Sequence, residues 1–203
     1  MVPSRRALIA LASLCLALFL GACNDAGAGL MGVVRTPALE VGGVELPSAD
    51  GGPMEMVAPD GELLLVYFGY TSCPDVCPTT MADVSAALVD LPPDKADRVR
   101  VAMVTVDPER DTDEILAGYL AHFFSRGIAL RSDDPTALEA AATAFGVQWQ
   151  IEEHEPGDPY DVAHTAVTYV VDDHGRVVVE WPFGFETEAM TSDLNLLLER
   201  SRT

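Results

Sequence analysis

The sequence predicts one α/β domain of alternating short strands and helices. Three observations carry that prediction. Apolar, β-branched runs recur as Leu63 to Phe68, Arg98 to Val106 and Thr165 to Val171, the pattern of strands buried in a sheet. Helix-start signals follow at Thr112 and at Asp134-Pro135. Once the N-terminal segment is set aside, about 160 residues remain, enough for a single core and too few for two.

The elements follow in order. Val41 to Leu46 and Met54 to Val57 flank the turn-rich Ser48-Ala-Asp-Gly-Gly-Pro53, which predicts an N-terminal β-hairpin. The strand at 63–68 leads into a cysteine loop and a helix over Met81 to Val89, stopped by Leu91-Pro-Pro93. Arg98 to Val106 reads as a central strand. Thr112, with Asp113 and Glu114 in the first turn, opens a helix expected to reach Ser125. Gly127 to Leu130 is a short strand, and proline at the first helical position starts the helix ending at Phe145. Val147 to Ile151 is a candidate edge strand before the acidic loop Glu152 to Pro159. Thr165 to Val171 and Arg176 to Trp181 form a hairpin around Asp172-Asp-His-Gly175, and a last helix covers Thr187 to Arg200. This is the element order of a thioredoxin-like fold with an N-terminal hairpin extension.

Residues 1–22 read as a lipoprotein signal peptide. Arg5-Arg6 precede the apolar stretch Ala7 to Leu20, which is short for a membrane span. Leu20-Gly-Ala-Cys23 resembles the bacterial lipobox, so Cys23 is the expected lipidation site and Cys15 is lost with the leader. Small, glycine-rich residues after Cys23 predict a flexible tether over 23–37, with the domain spanning 38–203. The expected location is the cell envelope, on the periplasmic or extracytoplasmic side of a membrane.

The formal charge of −20 excludes a nucleic-acid partner, which would require the opposite sign. Such acidity keeps a tethered domain soluble near an anionic membrane and favours cations or basic partner surfaces.

Of the four cysteines, Cys73 and Cys77 remain in the mature domain. Four positions apart at a strand-to-helix junction, they share one helical face near outward-pointing amides that favour thiolate. Such a pair exchanges electrons or holds a soft metal ion. Pro74 and Pro78 stiffen the loop, and Pro78 near the helix start would place Cys77 at the cap. Asp75 lies between the thiols, and Asp107 follows the central strand at the same sheet edge. Among the four histidines, His122 reads as a helix boundary residue, His154 as part of the acidic loop and His174 as a turn residue. His164 precedes a strand expected to neighbour the cysteine strand, so it is the histidine expected to face the thiols. Tyr67, Tyr70, Trp149 and Trp181 read as packing residues, with Tyr70 close enough in sequence to shield a metal held by the thiols.

Three ordered motifs resemble the Sco/SenC family of copper chaperones in cytochrome c oxidase assembly. They are Tyr67-Phe-Gly-Tyr-Thr-Ser-Cys-Pro-Asp-Val-Cys-Pro78, Val104-Thr-Val-Asp-Pro-Glu-Arg-Asp-Thr112 and Tyr160-Asp-Val-Ala-His-Thr165. The resemblance implies a copper site of Cys73, Cys77 and His164, with His164 following Cys77 by 87 positions. It implies the CuA-bearing subunit of a cytochrome c oxidase as partner, and leaves room for another copper chaperone or a thiol reductase. Ala163 departs from the acidic residue that family members often carry before the histidine; Asp161 or Asp75 are its candidate substitutes. The residue chemistry agrees: two thiolates and an imidazole suit Cu(I), and accommodate Cu(II) if water or a carboxylate completes the shell. A structural zinc site wants four protein ligands, and only three are in view.

Two rival readings stand beside this one. A thiol–disulfide oxidoreductase would reduce the cysteines of the oxidase copper site. Against it, the spacing is Cys-x3-Cys, and Ala166 stands where a cis-proline is expected in thioredoxin-like reductases. A purely stabilising Cys73–Cys77 disulfide would close a loop so short that it contributes about 2 kcal/mol or less.

Overall fold

A computed structural model describes residues 29–155 and 157–201. The leader, Cys15 and Cys23 lie outside the described residues. Among the described residues, nine strands and five helices are defined. The strands are β1 Glu45–Ser48, β2 Gly52–Glu55, β3 Leu63–Gly69, β4 Val99–Thr105, β5 Gly127–Leu130, β6 Trp149–Ile151, β7 Val162–His164, β8 Val167–Val171 and β9 Val177–Pro182. The helices are α1 Val76–Val89, α2 Pro93–Ala96, α3 Asp113–Leu120, α4 Pro135–Phe145 and α5 Thr187–Arg200.

Seven strands form one sheet in the order β2-β1-β5-β4-β3-β8-β9, and β6 and β7 form a separate pair. β3, β4 and β5 run parallel; β8 is antiparallel to β3, and β9 to β8. Every residue of β3 is buried, because helices cover both sheet faces. Alternate side chains point to opposite faces. Leu63 and Leu65 therefore join Val84, Trp181 and Leu194 under α1 and α5, while Leu64, Val66 and Phe68 join Leu116 and Phe145 on the other side. The expected thioredoxin-like order with its N-terminal hairpin holds, the hairpin extending the sheet through β1 beside β5.

Several boundaries differ from expectation for identifiable reasons. The hairpin strands lie a few residues from the predicted runs, closed by a turn in which Gly51 has φ of 98°. α1 begins at Val76, five residues before the predicted start. Asp75 occupies the N-cap position, so Cys77 lies inside the first turn rather than at the cap. Prolines early in a helix cost no intrahelical hydrogen bond, which is why Pro78 does not delay it. α3 is capped by Thr112 as expected, its hydroxyl accepting the Ile115 N–H at 3.2 Å, but ends at Leu120. The chain then tightens through His122 N–H to Tyr119 and Phe123 N–H to Leu120. The predicted strand over Thr165 to Val171 is split, because Thr165 leaves the main sheet and bonds to Gln148.

The flexible-tether expectation does not hold for residues 29–37, which are joined to the domain. Val33 bridges Glu180 in β9, and the N–H groups of Met31 and Gly32 donate to Asp193 in α5 at 2.7 and 3.0 Å. No helix among the described residues is long and apolar enough to cross a membrane.

Candidate metal centre

The centre is built at the C-terminal end of β3, where the strand passes into α1. Because β3 lies between β4 and β8, this end is flanked by the Asp107 turn on one side and by the chain entering β8 on the other. Sγ of Cys73, Sγ of Cys77 and a ring nitrogen of His164 all lie within 4.8 Å of one another. The three residues expected from the sequence to act together are therefore adjacent. Both cysteines are free thiols, so the stabilising-disulfide reading does not describe this structure.

His164 sits at the end of β7, held in register opposite Trp149 of β6. Its Nδ1 is 3.2 Å from the Thr165 carbonyl oxygen. A carbonyl only accepts, so Nδ1 carries the proton and Nε2 keeps its lone pair. That Nε2 lies 3.4 Å from Sγ of Cys77. Burial also pushes the imidazole pKa below its ordinary value, keeping the ring neutral. A neutral imidazole with a free Nε2 is the ligand form.

The two thiols differ in environment. Cys77 is fully buried, and burial pushes its pKa up to about 12. Cys73 is half-buried. Burial alone would raise it too, but the N–H groups of Cys77 and Asp75 and the side chains of Cys77 and Tyr70 outweigh that, and its pKa falls below the ordinary thiol value. The Cys77 amide donates to Sγ of Cys73 at 3.3 Å, a contact available because Cys77 lies in the first turn of α1. Gly69 makes room for the pair: a Cβ there would stand 2.9 Å from Sγ of Cys77 and 2.6 Å from the Tyr67 ring.

Tyr67, read from the sequence as packing, and Tyr70, read as packing with a place to shield the metal, both belong to the site. The Tyr67 hydroxyl donates to Sγ of Cys77 at 3.6 Å, and its ring meets His164 edge-on at 5.9 Å. Tyr70 meets the other side of His164 edge-on at 5.8 Å, and its hydroxyl reaches Cys73. Trp181 does pack in the core, donating its indole N–H to Asp193.

The acidic residues separate. Asp75 is exposed and accepts only a long 3.4 Å contact from the Thr79 hydroxyl. Asp161 is exposed, and its backbone rather than its carboxylate pairs with Glu152. Neither carboxylate touches the sulfur–imidazole cluster in the described contacts; Asp75 reaches Cys73 only through its backbone N–H. Asp107 is fully buried and ion-paired to Arg110, and it accepts the Tyr160 hydroxyl at 2.8 Å. Arg110 stacks on Tyr160 at 3.6 Å and faces Tyr70 at 5.6 Å, so Asp107 acts on the centre through that pillar.

Asp111 went unnoticed as a site residue. It is wholly buried and accepts the Thr71 N–H at 3.0 Å, the Thr71 hydroxyl at 2.5 Å and the Thr105 hydroxyl at 2.6 Å. It thus fixes the loop two residues before Cys73. The available signal was its position one turn after Asp107, at the end of the central strand.

The remaining histidines lie elsewhere. His122 is exposed and bonded to Gly118; His154 stacks on Tyr160 at 3.7 Å in the acidic loop. His174 forms a second ligand-like group with Asp172 and Asp173. Those carboxylates are committed to Arg176 and to the Gly61 amide, as a turn cap requires.

The comparisons with known proteins converge on one family. The SCO1/SenC family model matches residues 35–199. A SCO2-like protein of Rickettsia prowazekii is 31% identical over 136 residues, covering 62% of this chain and 66% of the relative, so the match spans just under two thirds of that protein. Among solved structures, apo Sco1 of Thermus thermophilus superposes with a TM-score of 0.73 at 35% identity, covering 83% of this chain and 96% of that one. ScoI of Bradyrhizobium japonicum, solved with copper bound, gives 0.67 at 32% identity, covering 77% and 99%. With the family's match running through the hairpin, both thiols, the buried aspartates and His164, the chain belongs to the SCO1/SenC family.

Proposed function

We propose that this chain is a membrane-anchored copper carrier that delivers its ion to the CuA centre of a cytochrome c oxidase, holding it through Cys73, Cys77 and His164. The observation that carries the reading is the convergence of two sulfurs and one imidazole nitrogen within 4.8 Å. Two soft thiolates and one neutral imidazole favour Cu(I) over harder cations. Three ligands, one of them on a half-buried cysteine, leave the ion open to a partner's ligands, as a cargo site requires. The solved relative with copper bound supports the choice of ion. The lipobox pattern supports a signal peptide over residues 1–22, lipid on Cys23 and a position on the outer face of the membrane.

The test is transfer. The copper-loaded chain, mixed anaerobically with an apo CuA-bearing oxidase domain, should lose copper as the CuA absorption appears. Retention of copper by the chain at equimolar partner would contradict delivery.

One observation favours a second reading, thiol–disulfide exchange: the pair is unequal, with Cys73 accessible and lowered and Cys77 buried and raised. In that reaction the Cys73 thiolate attacks a disulfide of the oxidase copper site and forms a mixed disulfide. The Cys77 thiolate then displaces it, releasing the partner as a dithiol and leaving Cys73–Cys77 oxidised. Turnover of an oxidised CuA-site peptide that is unchanged in His164→Ala would favour this reading.

A further inference from the structure

Six large apolar side chains stand exposed among the described residues, and four of them, Met31, Val33, Val34 and Phe183, lie along one edge of the sheet. The first three belong to the extended segment bridged to β9, and Phe183 follows the last residue of that strand. The row is not a loose end. Asp193, wholly buried, accepts the N–H groups of Met31 and Gly32 and the Trp181 indole N–H at 3.0 Å. Glu180 grips Arg35. Gly32 lies so close to β9 that a Cβ would stand 2.5 Å from Val179 and 2.7 Å from Trp181. The segment is part of the domain, and its outward face is apolar.

The chain preceding the described residues says what covers it. Six residues separate Cys23 from Leu30, so at about 3.5 Å per residue the lipid attachment point lies within roughly 25 Å of the latched segment. The formal charge of −20 disfavours electrostatic adhesion to anionic lipid, so contact must come from apolar side chains. We infer that this edge of the domain rests on the bilayer that holds the Cys23 lipid, with Met31, Val33, Val34 and Phe183 in the headgroup region. The metal centre, at the end of β3 with β8, β9 and the latched segment stacked toward this edge, is then carried about 15 Å above the lipid surface. A partner whose copper site stands at that height meets it without the domain turning over.

The inference rests on the proposed lipid anchor, and the experiment separates the two. Full-length lipidated protein is reconstituted into phosphatidylcholine vesicles with and without brominated acyl chains, as Val33→Trp and as Ile115→Trp. Ile115 is exposed on α3, which packs beside β5 on the far side of the sheet. The expected result is co-flotation of both variants, with bromine quenching and blue-shifted emission for the tryptophan at 33 and neither for that at 115. Co-flotation with equal quenching at the two positions, or none at 33, overturns the inference and leaves the anchor standing. A blue shift at 33 without bromine quenching, together with a dimer by crosslinking, assigns the edge to a second copy and also overturns it. Failure to co-float removes the anchor and the inference together.

Discussion

Nε2 of His164 lies 3.4 Å from Sγ of Cys77, although 87 residues separate them in the chain. The contact arises because β8 pairs directly with β3, and because Tyr67 and Tyr70 hold the imidazole edge-on from two sides. His164→Ala should weaken Cu(I) binding by at least about 100-fold, since even the residues that support metal ligands are worth 10–100-fold. Competition against a chromogenic Cu(I) chelator measures this, and far-UV circular dichroism should be unchanged. Equal affinity in the variant would remove His164 from the ligand set.

Copper should displace protons from this site. Cys77, pushed up to about 12 by burial, is protonated at neutral pH, whereas Cys73 is lowered. His164, lowered by burial, is already neutral there and releases none. Affinity should therefore rise with pH by about 100-fold per unit below the Cys73 pKa and about tenfold per unit above it. Chelator competition across that range checks the two slopes, and a pH-independent affinity would contradict the thiol assignment.

Asp111→Ala leaves Thr71 and Thr105 without their acceptor. We expect a loss of about 2–4 kcal/mol in urea denaturation, from several buried donors left unpaired. Asp111→Asn keeps the shape and should cost less. Both should weaken copper binding, because the loop that places Cys73 is anchored there. Unchanged copper affinity in both variants would separate Asp111 from the centre.

Asp193→Ala should free the N-terminal segment. Three N–H groups lose a buried acceptor, which costs about 2–4 kcal/mol. Hydrogen exchange at the Met31 and Gly32 amides should accelerate far more than exchange in β3. Preserved protection at those amides would show that the latch lies elsewhere.

Most of the architecture was legible because it rests on local patterns. The apolar runs of β3 and β4, the Thr112 and Asp134 caps and the turn at Gly175 each follow from a few adjacent residues. The Cys73–Cys77 pair was legible by spacing, and His164 through the expected pairing of two strands together with the family resemblance. What escaped notice depends on contacts distant in sequence. Tyr67 lies in a uniformly apolar strand, and nothing local marks its hydroxyl as aimed at Cys77. Asp111 sits in an ordinary helix-start stretch, and its role exists only because Thr71 folds back over it, 40 residues away. The docking of residues 29–37 likewise depends on Asp193 and Glu180, from the other end of the chain, while the local composition reads as a linker.

The central claim is the identity of the ligands, and X-ray absorption on the Cu(I)-loaded, reduced chain tests it most directly. The account predicts one copper per chain, with two sulfur scatterers and one imidazole nitrogen that disappears in His164→Ala. A copper shell with sulfur from only one cysteine, or one unaltered by loss of the imidazole, would contradict it.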